Sequence, residues 1–159
     1  MKKTGGFTLI ELVVYLALFA VIISAGLTSA FVMLEAAGRG DAQIYLLNEG
    51  NFLLGKINYL LNFSSGQAVS DQGKKLDFVL SGGSAASLEI VNQDLVYTPQ
   101  GGQPQPLNGS RAKLSALEFK LKDLGLLGKS VAVDFTLEGR TDQGKIVSKT
   151  FSLNRTLFK

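Results

Sequence analysis

The sequence predicts an α+β chain: one long N-terminal helix, its first half membrane-spanning, then a C-terminal antiparallel β-sheet domain packed on its second half. Three observations carry that expectation. Residues Phe7 to Leu34 form a run of 28 nearly all apolar or small residues. Helical spacing of apolar residues continues from Glu35 to about Asn62. Beyond that point the spacing changes to short alternating segments separated by turn residues, the pattern of strands with one buried face.

The apolar run follows Lys2 and Lys3 and contains a single charge, Glu11. As a helix rising 1.5 Å per residue it would extend about 42 Å, more than the ~30 Å hydrocarbon core of a bilayer. The paired lysines should hold the short N-terminus in the cytoplasm and send the remainder across the membrane. A secretory signal peptide cut after Thr28-Ser29-Ala30 is the competing reading. It is disfavoured because Phe7 to Ile23 already exceeds the 7–15 residues of such an apolar core. Within the run, Ala25 with Ser29 and Gly26 with Ala30 are small-residue pairs that permit close helix approach in a membrane.

From Glu35 the helix becomes amphipathic, with Ile44, Leu47, Leu54, Ile57 and Leu61 as the expected apolar stripe. Gly38 and Gly40 predict an interruption, since each glycine costs about 1 kcal/mol relative to Ala in a helix. Tyr45, Tyr59 and Phe63 are expected in the core. Ser64-Ser65-Gly66-Gln67 breaks the helix. Strands follow at Leu76–Leu80, Leu88–Val91 and Leu95–Thr98, the last two joined tightly through Asn92-Gln93-Asp94. Residues 99–110 read as a loop by composition. Further strands are expected at Leu117–Leu121, Val131–Leu137 and Lys145–Leu153, with Thr141–Gly144 as the final turn. In Val131, Val133, Phe135 and Leu137 the alternation marks one buried face.

Composition removes several chemistries. The 159 residues include no Cys, His or Trp. The usual zinc sites, disulfides, thiol nucleophiles and imidazole-based triads are therefore excluded. Sixteen basic and 13 acidic residues give +3, with no basic block of the kind that binds nucleic acid. No enzyme activity and no cofactor or metal are expected.

The run KKTGGFTLIELVVYLALF resembles the N-terminus of type IV prepilins and type II secretion pseudopilins. The resemblance divides the chain into a leader peptide, residues 1–6, a transmembrane helix, 7–34, an amphipathic second half, 35–63, and the sheet, 64–159. It implies cleavage between Gly6 and Phe7 by a prepilin peptidase, N-methylation of Phe7, and subunit assembly through Glu11. Its further implications are other pilin or pseudopilin subunits as partners, an inner-membrane platform and an assembly ATPase. Localisation would be the cytoplasmic membrane, then a filament or the cell surface. Many members carry a Pro near the position of Thr28; this chain does not. Residues 130–158 resemble the closing hairpin of J-type minor pseudopilins and similar minor pilins. The expected function is a minor structural subunit; the alternative is a membrane-anchored binding domain, such as a DNA-uptake receptor component.

Glu11 carries most of the physical argument. A carboxylate facing hydrocarbon costs about 2.5–3.5 kcal/mol on insertion scales, and the apolar run supplies no cation. Cleavage after Gly6 would create one, an α-amino group with an ordinary pKa near 8. Glu11 then either pairs with the amine of a neighbouring subunit or snorkels to the headgroups.

Other motifs are set aside. Gly125 to Ser130 is similar to a phosphate-binding loop, but Asp123 replaces its first Gly and a strand, not a helix, is expected next. Gly38-Arg39-Gly40 lacks the later Gly of a dinucleotide fingerprint, with Gln43 in its place. Asn62, Asn108 and Asn154 each begin an N-x-S/T triplet. Asp71 with Asp77, and Asp134 with Glu138, read as surface carboxylates.

Overall fold

A computed structural model describes residues 8–125 and 128–157. The chain forms two compact units that part between Gly38 and Arg39. One helix, α1 (Leu9–Asn62), contributes to both.

In the first unit every residue from Leu9 to Leu34 is exposed. The most apolar window of α1 has a mean hydropathy of 2.4 and is long enough to cross a membrane. Its serine and threonine hydroxyls are satisfied within the helix: Ser24 donates to the Ala20 carbonyl, Thr28 to that of Ser24, and Ser29 to that of Ala25. This removes the cost of carrying free hydroxyls in an apolar environment.

The second unit closes a core between α1 and two antiparallel sheets. The helix buries Ala42, Leu46, Gly50, Leu53, Ile57 and Leu61, spaced by three and four as one helical face requires. Ile57 and Leu61 agree with the expected stripe, and Leu54 is partly buried. Ile44 is 59% exposed and Leu47 also lies outside the core. The stripe is rotated because Gly50 belongs to it. A Cβ there would sit 2.0 Å from Cζ of Phe151, so the buried face includes a residue that an apolar count passes over. Helix runs unbroken through Gly38 and Gly40, against the expected interruption. Tyr45 packs against the core. Tyr59 and Phe63, expected inside, are 62% and 51% exposed and pair with each other at 4.9 Å between ring centroids.

The first sheet contains β1 (Ser64–Ser70), β2 (Lys75–Leu80), β3 (Ala85–Val91), β4 (Asp94–Pro99) and β5 (Gln105–Pro106), in that spatial order. The second holds β6 (Lys113–Asp123), β7 (Lys129–Arg140) and β8 (Ile146–Leu157). The single expected sheet is thus two, and two strands were not foreseen. Ser64 and Ser65 pair with Leu80 and Val79 of β2 despite their low strand propensity, and a register shift that passes over Gly66 and Gln67 carries the pairing on to Ala68. Gln105 and Pro106 pair with Tyr97 and Val96.

The two expected turns are present. Asn92 and Gln93 adopt φ of 50° and 66° between paired Val91 and Asp94, the left-handed two-residue connection that matches strand twist. In the second, Gly144 (φ 77°) donates to the Thr141 carbonyl. Phe135 and Phe151 stack at 5.3 Å where β7 and β8 face the helix.

Candidate functional site

The site that the sequence singles out lies at the head of α1. Gly6 and Phe7 fall outside the described residues; Thr8 and Glu11 are described. Thr8 precedes the first helical residue, and its carbonyl accepts from the Leu12 N–H at 3.2 Å. The Glu11 Oε2 accepts from both the Thr8 N–H and the Thr8 hydroxyl, each at 2.9 Å. The Glu11 N–H points back to Thr8 Oγ1 at 3.4 Å. This is a reciprocal capping box, in which an N-cap hydroxyl and a carboxylate three residues later satisfy each other's backbone donors.

The cap changes the physical account of Glu11. Helix N-termini leave four N–H groups without intrahelical partners, and hydrocarbon offers them no water. Glu11 satisfies one of them and receives a hydroxyl as well. Its negative charge also sits where the helix dipole is positive. Thr8 is the residue that sequence reasoning missed. The signal was present as Thr8-Leu9-Ile10-Glu11, an S/T-x-x-E spacing directly before an apolar run. The box folds the carboxylate back toward the helix start, one residue beyond the Gly6–Phe7 junction.

The remaining candidates are placed in supporting roles. Asn108 is buried rather than displayed: its Oδ1 accepts from the Leu95 N–H, and its Nδ2 donates to Asp94 Oδ1 and to the Ala112 carbonyl, all at 2.7 Å. Lys113 Nζ meets the same Asp94 oxygen at 2.7 Å. Burial pushes the Asp94 carboxyl up, but hydrogen bonds from Lys113 and Asn108 and the Lys113 charge outweigh it and hold its pKa below the ordinary value. Asp77 accepts from the Ser70 hydroxyl at 3.0 Å, and Asp134 accepts from that of Ser152. Lys129 opens a strand, β7, where a phosphate-binding loop would require a helix; Leu126 and Leu127 lie outside the described residues. Among the described residues, no group of three or more Asp or Glu is placed to hold a metal ion.

Comparison with known proteins agrees with the head of the helix. Residues 1–27 match the model of the prokaryotic N-terminal methylation motif. No curated protein and no solved structure matches the chain. The matched segment contains Gly6, Phe7, Thr8, Glu11 and most of the apolar run. The chain therefore carries, on a helix long and apolar enough to span a bilayer, the N-terminal motif of type IV pilin-like precursors, which implies processing by prepilin peptidase and assembly with other pilin subunits.

Proposed function

We propose that this chain is a minor structural subunit of a type IV pilus-like or type II secretion pseudopilus filament and performs no catalysis. The methylation motif at residues 1–27 is the observation that carries the proposal. In this reading the leader, residues 1–6, is removed at the cytoplasmic face and Phe7 becomes the methylated N-terminus. The apolar half of α1 spans the inner membrane once, and the sheet domain lies outside the cytoplasm. An assembly platform and ATPase extract the subunit. Glu11 then pairs with the Phe7 amine of a neighbouring subunit, setting its axial register.

The capping box gives Glu11 a second role inside its own helix, and the two roles can be separated chemically. Glu11→Gln keeps an oxygen acceptor at the third helical position, which preserves the cap, and removes the charge. Glu11→Ala removes both. If the ion pair drives assembly, both variants should be cleaved and membrane-inserted normally, yet fail to crosslink to filament partners at equal membrane abundance. Retained crosslinking by Glu11→Gln alone would assign Glu11 to the cap and defeat the pairing mechanism. Intact-mass analysis tests the processing step: the mature chain should begin at Phe7, about 14 Da heavier for one methyl group.

A further inference from the structure

The two sheets have four outer strands, and three are guarded in ways that natural sheets commonly use. β5 has two residues. β1 is interrupted by a register shift. β6 is bulged between Leu114 and Ala116, and its Leu114 N–H is already given to the Gln93 carbonyl. β8 differs. It runs 12 residues, without Gly or Pro, in unbroken register with β7 from Ile146 to Leu157. Cross-strand contacts tie it to β7: Thr136 with Thr150 at 3.0 Å, Ser130 with Asn154 at 2.7 Å, and Asp134 with Ser152. Among the described residues nothing pairs with its outer edge. Such a strand presents a row of free N–H and C=O groups to any extended chain.

We infer that the outer edge of β8 receives, by strand addition, an extended acidic segment of a different protein. Charge selects the occupant. Lys149 and Arg155 are the only charged residues of β8. They lie two before and four after the buried Phe151 and so share its face of the sheet. Arg155 donates to Asn62 Oδ1, a neutral acceptor. Neither cation has a carboxylate within ion-pair distance among the described residues.

A second β8 would bring cations and no carboxylate, and like charges opposite each other destabilise strand pairing. A strand laid along β8, parallel or antiparallel, sets a carboxylate directly opposite each cation only if its carboxylates are six residues apart on one face. The strands of this chain do not offer that: the two acids of β6, Glu118 and Asp123, are five apart, and those of β7, Asp134 and Glu138, four apart. The partner is therefore another chain, in which two carboxylates flank apolar residues opposite Phe151 and Leu153. This inference is independent of the filament reading.

The test uses the full chain in nanodiscs and two synthetic 12-residue peptides of identical Val, Thr and Asp composition. One has its aspartates six apart, the other five apart, so net charge is constant and only the shared face differs. Fluorescence anisotropy should show the six-spaced peptide binding about tenfold tighter, from two opposite-charge cross-strand pairs. It should slow hydrogen exchange within residues 146–157. The Lys149→Glu/Arg155→Glu variant, checked for folding by circular dichroism, should lose that preference and bind instead a third peptide in which two lysines six apart replace the aspartates. Equal affinity for the two aspartate peptides, or protection elsewhere, would overturn the inference. Binding of neither peptide would leave the cations as guards of the edge and overturn the inference. Concentration-dependent protection of β8 without peptide would assign the edge to a second copy and overturn it equally.

Discussion

At the scale of single residues, Gly50 and Gly55 make opposite demands on the same helix. Gly50 faces the core, and an added Cβ would sit 2.0 Å from Phe151 Cζ, in a ring that is itself stacked on Phe135. Nothing lies within 4 Å of a Cβ built on Gly55. Gly50→Ala should destabilise by about 1–3 kcal/mol, the usual cost of overpacking. Gly55→Ala should stabilise by up to about 1 kcal/mol through helix propensity. Urea unfolding of the two variants side by side checks both signs. Asp94 supplies the pH dependence. Its folded pKa is lowered, so its contribution to stability is fully present above the unfolded value, about 3.9. It is lost as pH falls below that value and through the lowered folded one. Asp94→Asn should flatten this part of the acid limb when unfolding midpoints are measured between roughly pH 5 and 2. An unchanged acid limb would remove Asp94 from the account.

At the scale of elements, the connection of β3 to β4 gives a third prediction. Gln93 adopts φ 66°, a conformation that Gly enters without strain. Its carbonyl, which holds the Leu114 N–H at 2.7 Å, survives substitution. Gln93→Gly should therefore stabilise by about 0.5–1 kcal/mol, read as a shifted denaturant midpoint with an unchanged slope. Most elements were legible because their signals are local. The apolar run, the Val131–Leu137 alternation and both turns each announce themselves within a few residues. What escaped depends on distant partners. The buried helix face could not be placed from α1 alone, because Phe151, a hundred residues away, decides that Gly50 points inward. Tyr59 and Phe63 are large and apolar, yet their positions on α1 lie off the face that the sheets cover. β1 owes its pairing to β2 rather than to its own Ser-Gly-Gln composition. At the functional site the charge of Glu11 was conspicuous. The role of Thr8 was hidden because a threonine beside an apolar run attracts no notice until its spacing to Glu11 is counted.

At the scale of the whole molecule, every member of the core cluster lies between Leu46 and Phe151, inside the unit that begins at Arg39. A fragment comprising residues 39–159 should therefore be soluble and cooperatively folded. Its circular dichroism should combine helix and sheet and should not respond to a chelator. Aggregation of a fragment that retains this core would mean that the apolar half of α1 is needed for folding. The order of strands has a further consequence, a kinetic one. Both sheets are meanders: β1 to β5 and then β6 to β8 are neighbours in space as in sequence, with no crossover. Each hairpin closes a short loop, which costs little entropy, whereas the contacts of Gly50 with Phe151 and of Asn62 with Arg155 close loops of about a hundred residues. A chain leaving the ribosome has α1 available first, then pairs its strands one hairpin at a time, and receives the residues that lock the helix against β8 only with the last strand. Synthesis thus delivers the parts in the order in which they can be used.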